Sequence, residues 1–145
     1  MCDRCDYEGL LHTRELECSR NRLRVLEIIG GSPRPLSAQE VFALARRGRH
    51  INRVTVYRIL DLLVERRLLE KISAGDRSFR YGLAPNANHT RHAHFYCTGC
   101  GRMECLSPGS PLVDMAPLES TVAGMVERVE IRLDGICETC LEQER

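Results

Sequence analysis

Cys97-Thr-Gly-Cys100 and Cys137-Glu-Thr-Cys140 place two matched thiol pairs in one chain, with 36 residues between them. A single C-x-x-C serves a redox site or arises by chance; two pairs have the form of a tetrahedral thiolate zinc site, each a tight knuckle holding two sulfurs about 2.3 Å from one ion. Gly101, directly after the first pair, and Gly135, just before the second, ease the chain around such a turn. Upstream, His89-Thr-Arg-His92-Ala-His94 offers a second set of metal donors. These residue types point to a metal-organised, metal-responsive regulator and not to an enzyme. A thiol oxidoreductase would need an exposed low-pKa thiolate near a helix start, whereas these pairs sit beside strand patterns.

Elements that position these donors must fit in 145 residues, a length that suits two small units with modest cores. Small cores favour reinforcement by a metal or by a dimer. No stretch approaches the roughly 20 apolar residues of a membrane span, and Met1-Cys2-Asp3-Arg4 does not read as a signal peptide. Eight cysteines in such a chain imply a reducing cytoplasm, where thiols bind metal more often than they pair.

The net charge of +1 conceals an asymmetry. Residues 1–18 carry −3 and residues 85–145 carry −4, while residues 19–84 hold fourteen basic against six acidic side chains, a net of +8. Thirteen of those fourteen are arginine, the residue suited to bidentate contacts with phosphate and guanine. The basic third is therefore the surface that double-stranded DNA would meet.

Within it, Ser19 to Ile29 carries Leu23, Leu26 and Ile29 at helical spacing and stops at Gly30-Gly31. Ser37-Ala-Gln-Glu40 is a capping box opening a second helix, with Val41, Leu44 and Ala45 inward and Gly48 ending it. Asn52 caps a third, whose buried stripe is Val56, Ile59, Leu60 and Leu63. Its opposite side presents Arg53, Thr55, Tyr57 and Arg58; the competing reading has Tyr57 packed on the bundle. Leu68–Ile72, a turn at Ala74-Gly75-Asp76, and Ser78–Leu83 read as a β-hairpin with Arg77 and Arg80 near its tip. Three helices and a basic hairpin predict a winged helix-turn-helix, whose last helix enters the major groove.

The expected class is α+β: a winged-helix DNA-binding domain over 1–83, a hinge over 84–91, and a small αβ dimerisation domain with a four-cysteine zinc site over 92–145. In the last, His92–Cys97 and Arg102–Leu106 read as strands, Ser107–Pro111 as a break, Met115–Met125 as a weak helix and Val126–Leu133 as an alternating strand. Residues 1–18 form an acidic extension in which Cys2, Cys5, His12 and Cys18 supply donors for a further zinc site; a mobile tail with incidental thiols is the preferred reading.

The order winged helix, hinge, H-x-H-x-x-C-x-x-C-G, αβ segment, C-x-x-C resembles the ferric uptake regulator (Fur) superfamily over roughly residues 16–142. Arg53-Val-Thr-Val-Tyr-Arg58 is similar to its recognition-helix signature, His92-Ala-His94-Phe-Tyr-Cys97-Thr-Gly-Cys100-Gly101 to its metal and knuckle motif, and Asp134-Gly-Ile-Cys137-Glu-Thr-Cys140 to its ending. The resemblance implies a homodimer joined through a shared sheet of the C-terminal halves, binding a palindromic operator and repressing transcription with metal as corepressor. It implies no small-molecule substrate.

It also implies a regulatory site at His92 and His94, distinct from the structural zinc. The family's upstream histidine falls near Pro35, its hairpin acidic ligand near Gly82, and its carboxylate after the first knuckle at Cys105. An ancillary site is replaced by Arg91, Ala93 and Val129. Thiolate in place of carboxylate favours Zn²⁺ over Fe²⁺ or Mn²⁺. The resemblance is therefore strongest to the zinc uptake regulator branch, with Glu70 or its competitor His89 as fourth ligand and a second Zn²⁺ or other divalent metal bound. Other readings are an iron- or peroxide-responsive regulator of the family, a zinc-ribbon adaptor that binds proteins, and Cys105 as a buried strand residue.

Overall fold

The computed structural model describes residues 5–106 and 116–144. Ser107–Pro111, Met115 and Cys2 fall outside the described residues. Four helices lead the chain: α1 (Tyr7–Thr13), α2 (Arg20–Gly30), α3 (Ala38–Ala45) and α4 (Arg53–Glu65). Each starts where a side-chain acceptor meets an orphan backbone N–H. Asp6 accepts from Gly9, Ser19 from Arg22, and Asn52 from Thr55. At α3 the capping box is complete: Ser37 Oγ accepts the Glu40 N–H at 3.1 Å, and the Glu40 carboxylate accepts the Ser37 N–H at 2.8 Å.

Val56, Ile59, Leu60 and Leu63 of α4 are buried against Val25, Leu26 and Ile29 of α2 and Val41 and Ala45 of α3. Val25 takes the core position that spacing had given Leu23, which packs at the edge with Leu44. The acidic extension is not a loose tail throughout. Helix α1 buries Leu11 completely, and Leu16 follows it into the core. Their contribution was hidden because two apolar side chains in an acidic stretch give no helical period.

The hairpin β1 (Leu69–Ser73) and β2 (Phe79–Leu83) pairs antiparallel with Leu69 opposite Leu83 and Glu70 opposite Gly82. A bridge between Leu36 and Tyr81 ties β2 to the segment before α3. This is the expected winged helix-turn-helix.

The second sheet has the order β4-β3-β5, from β3 (His94–Cys97), β4 (Met103–Cys105) and β5 (Arg132–Gly135). Two short helices complete the chain, α5 (Ala116–Glu119) and α6 (Glu138–Gln143). Here the sequence expectation needs correction. The alternating run from Val126 forms a strand only from Arg132, and the helix expected to reach Met125 stops at Glu119. The charged residues of 126–131 bond to the hairpin instead of to a ladder: Glu130 accepts from the Ser73 hydroxyl at 2.6 Å, and Arg128 donates to the Lys71 carbonyl. Arg132 adds a bond to the Ser73 carbonyl at 2.6 Å.

Ile72 and Ala74 of the hairpin then pack with Tyr96 and Met103 into a second small core. Gly75 is required at that contact, because a Cβ there would lie 2.8 Å from the Tyr96 ring. The hairpin thus joins the helical half to the metal-binding half.

Loss of the α3 cap gives a direct check. Ser37→Ala should cost about 1 kcal/mol in urea unfolding. Burial works to raise the Glu40 carboxyl, but hydrogen bonds from Arg34 and Ser37 outweigh it, and its pKa lies below the ordinary 4.5. A carboxyl depressed by folding stabilises the protein above its unfolded-state value and loses that contribution as pH falls through the folded one. The stability gap between wild type and Glu40→Gln should therefore shrink as pH drops below 4.5.

Candidate functional site

The thiol pairs meet because β3 and β5 run parallel with Cys97 opposite Gly135. Both strands end at the same edge, and both knuckles emerge there. Gly101, at φ +75°, turns the chain after Cys100, and Cys137 stands at the start of α6 with Cys140 in its first turn. Cys97 Sγ lies 3.8 Å from Cys140 Sγ, and Cys100 Sγ 3.8 Å from Cys137 Sγ. All four sulfurs fall within 4.8 Å of one another. Sulfurs tetrahedrally arranged at about 2.3 Å from a central zinc are about 3.8 Å apart, so the spacing fits that ion.

The backbone prepares the first thiolate. N–H groups, led by Cys137 at 3.2 Å, lower the Cys97 pKa to about 6. The same crowding pushes Cys140 up to about 12, through its bond with Cys137, loss of water and the remaining sulfurs. Four thiolates hold together only around a cation.

A second cluster lies between the two sheets. His94 and Cys105 are register partners across β3 and β4 and present their side chains to one face. With His92 they form a group whose ligand atoms all lie within 4.8 Å of one another. The His92 Nδ1–H donates to the Thr90 carbonyl at 3.1 Å, which leaves Nε2 as the lone-pair nitrogen. That Nε2 is buried and has no hydrogen-bond partner among the described residues. A buried imidazole nitrogen without a partner fits a bound cation.

Beside it lies a cavity of about 20 Å³, room for a single small ion or water. Glu70 and His89 line this cavity, as do Pro35 and Gly82, where the resemblance expects ligands. Glu70 stands directly opposite Gly82, so it presents its carboxylate on the face where that strand has no side chain. Burial pushes the Glu70 carboxyl up, and it pushes His89 down and His94 down to about 4. His94 is therefore neutral at pH 7, the form that ligates metal. Cys105 is exposed as a residue and so is not the buried strand residue of the alternative reading, but partial loss of water around its thiol raises the pKa, with the nearby Glu70 charge adding to it.

On the helical half, Arg53 and Arg58 are exposed along the start of α4, and Tyr57 is 37% exposed, so it does not pack inside the bundle. The Thr55 hydroxyl donates to the cap residue Asn52 at 2.9 Å. Arg77 is exposed at the hairpin tip, whereas Arg80 turns back, bonding the Ser78 hydroxyl at 2.7 Å and the Gly101 carbonyl at 3.4 Å. Sequence reading missed Phe42, whose ring stacks with Arg53 at 5.3 Å and Arg46 at 5.5 Å. The i, i+4 spacing of Phe42 and Arg46 was the available signal. Among the described residues, Cys5, His12 and Cys18 do not gather into a metal-holding group.

The knuckle geometry has a measurable consequence. Cys97→Ser should remove one bound zinc per chain and abolish amide-exchange protection in β3 and β5 while α2 to α4 stay protected.

A family model described as the ferric uptake regulator family matches residues 13–108. The Bacillus subtilis ferric uptake regulation protein is 37% identical over 70 residues, 48% of this chain and 47% of that protein, so the match spans about half of its length. The Escherichia coli zinc uptake regulation protein is 26% identical over 140 residues, 94% of this chain and 80% of that protein. Among solved structures, the Helicobacter pylori ferric uptake regulator superposes with a TM-score of 0.77 at 19% identity, covering 100% of both chains. A zinc uptake regulator complexed with zinc and DNA superposes at 0.64 with 24% identity, covering 94% of this chain and 91% of that one. The matched residues span α2 to α4, the hairpin and the first thiol pair, and the chain belongs to the ferric uptake regulator family of metal-responsive transcriptional regulators, which are not enzymes.

Proposed function

We propose that this protein is a zinc-sensing repressor that binds a palindromic operator as a homodimer. The observation that carries the reading is the buried, unpartnered Nε2 of His92 beside His94 and Cys105. Two imidazoles and a thiolate form a soft donor set that suits Zn²⁺. An iron-responsive site would call for more oxygen ligands, and Pro35, Gly82 and Cys105 stand where the resemblance places them.

Glu70 supplies the fourth ligand in this reading, with His89 as the competitor on the same wall. Its carboxylate is held in the protein at a cost in desolvation that a cation would relieve. Zinc would thereby pull on β1, the strand that bears Glu70 and that packs through Ile72 on the metal-binding sheet. Metal then favours one relative placement of the winged helix, a population shift toward the half-site spacing of the operator. The units would be the winged helix over 1–83, the hinge over 84–91 and the metal-binding remainder over 92–145.

Recognition falls to Arg53, Thr55, Tyr57 and Arg58 on α4 and to Arg77 and Arg80 of the hairpin, Arg80 being the residue whose hydrogen bonds must open to reach DNA. Dimerisation through the C-terminal half is supported by exposed apolar side chains there. Met125 is 82% exposed, and Leu133 lies on β5, which is an edge strand with one unpaired side among the described residues.

Two measurements test the reading. Glu70→Ala should weaken the zinc dependence of operator binding at least about tenfold while the dimer persists in sedimentation; an unchanged zinc dependence removes Glu70 from the site. Arg58→Ala should weaken operator binding by about 1–3 kcal/mol and, if it contacts phosphate, flatten the salt dependence.

A further inference from the structure

A cleft of about 390 Å³ opens on the far side of Glu70 from the metal cluster. That volume lies within the roughly 300–1,000 Å³ of small-molecule sites. Its lining carries Arg14, Arg67, Lys71, Arg91 and Arg128 against two carboxylates, Glu70 and Glu127. Two of the five cations are engaged: Arg128 pairs with Glu130 at 2.8 Å, and Lys71 lies over the Phe79 ring at 4.3 Å. Among the described residues no side-chain hydrogen bond or ion pair holds Arg14, Arg67 or Arg91. Arg91 lies within electrostatic reach of Glu70, and all three guanidinium groups are exposed, so together they give the cleft a net positive wall, a demand that an anion would meet.

DNA does not answer that demand. Arg67 follows the C-terminus of α4, whereas Arg53 begins it, and 13 residues of helix separate the two by about 20 Å. Arg67 also occupies a left-handed position, φ +57°, with the Leu68 N–H bonded to the Leu63 carbonyl at 2.9 Å. Glycine is the relaxed residue at such a helix end, so arginine stands there against local preference.

The cleft continues past Arg14 and Arg67 into a recess of about 210 Å³ bounded by Leu10, Leu68 and Pro85. Charged head and apolar recess together select an organic anion. We infer that this cleft binds a small organic phosphate, its phosphoryl group held by Arg14, Arg67 and Arg91 and its organic part seated toward Leu10 and Leu68. It is independent of which metal the protein senses.

Titration calorimetry of phenyl phosphate into the zinc-loaded full chain tests this. The expected result is saturable 1:1 binding that Arg67→Gly and Arg91→Gln each weaken at least about tenfold, since each removes a charged hydrogen-bond donor. Arg67→Gly suits its backbone position, and unchanged zinc content checks that both variants are folded. Arg53→Gln on the recognition helix should leave the binding unaltered. No saturable heat, insensitivity to both cleft variants, or loss of binding in Arg53→Gln would overturn the inference.

Discussion

Four thiols that must share one cation impose the architecture of the C-terminal half. The two pairs are far apart in sequence, so β3 and β5 must lie side by side in parallel to bring them to one edge. Among the described residues the buried apolar cluster there comprises Ile72, Ala74, Tyr96 and Met103, and two of those four come from the hairpin region of the helical half. A core that small cannot offset the conformational entropy of ordering the chain around it. An ion held by the four thiols would supply what the core lacks, so its removal is expected to act on folding and not merely on activity.

A second dependence follows from the first. Once the knuckles fix β3, His94 is fixed with it, and its antiparallel partner Cys105 is brought opposite. The hairpin reaches the same place from the other half, carrying Glu70 on β1. His92, His94 and Cys105 come together within the metal-binding half itself, and apposing the hairpin adds Glu70 to the wall of the same cavity. In the proposed reading that arrangement suits a switch, with metal coordination coupled to the placement of the winged helix.

Much of this was legible in the residues. Caps and buried stripes are local signals, and Ser37, Asn52 and the four apolar positions of α4 appear in the structure as their spacing specifies. The thiol pairs were legible because ligand chemistry constrains residue type and spacing together. Where the outcome depended on distant partners, the sequence was silent. Leu11 enters the core because α2 offers a surface to α1, and Leu16 follows it there. Glu130 alternates like a strand residue, yet Ser73 of the hairpin captures its side chain and the ladder begins only at Arg132. Arg80 reads as a hairpin-tip arginine, but the Gly101 carbonyl lies within reach only after the halves dock. Charge counting likewise found the basic third without revealing that some of its arginines turn away from α4, the helix proposed to read DNA.

The central claim is a structural thiolate zinc plus a separate thiolate-containing sensor, and zinc content per chain tests it most directly. Elemental analysis would be made before and after mild chelation, on wild type and on Cys105→Ser. The account predicts two zinc ions falling to one on chelation in wild type, and one throughout in the variant. One zinc in every sample, or two retained by Cys105→Ser, would contradict it.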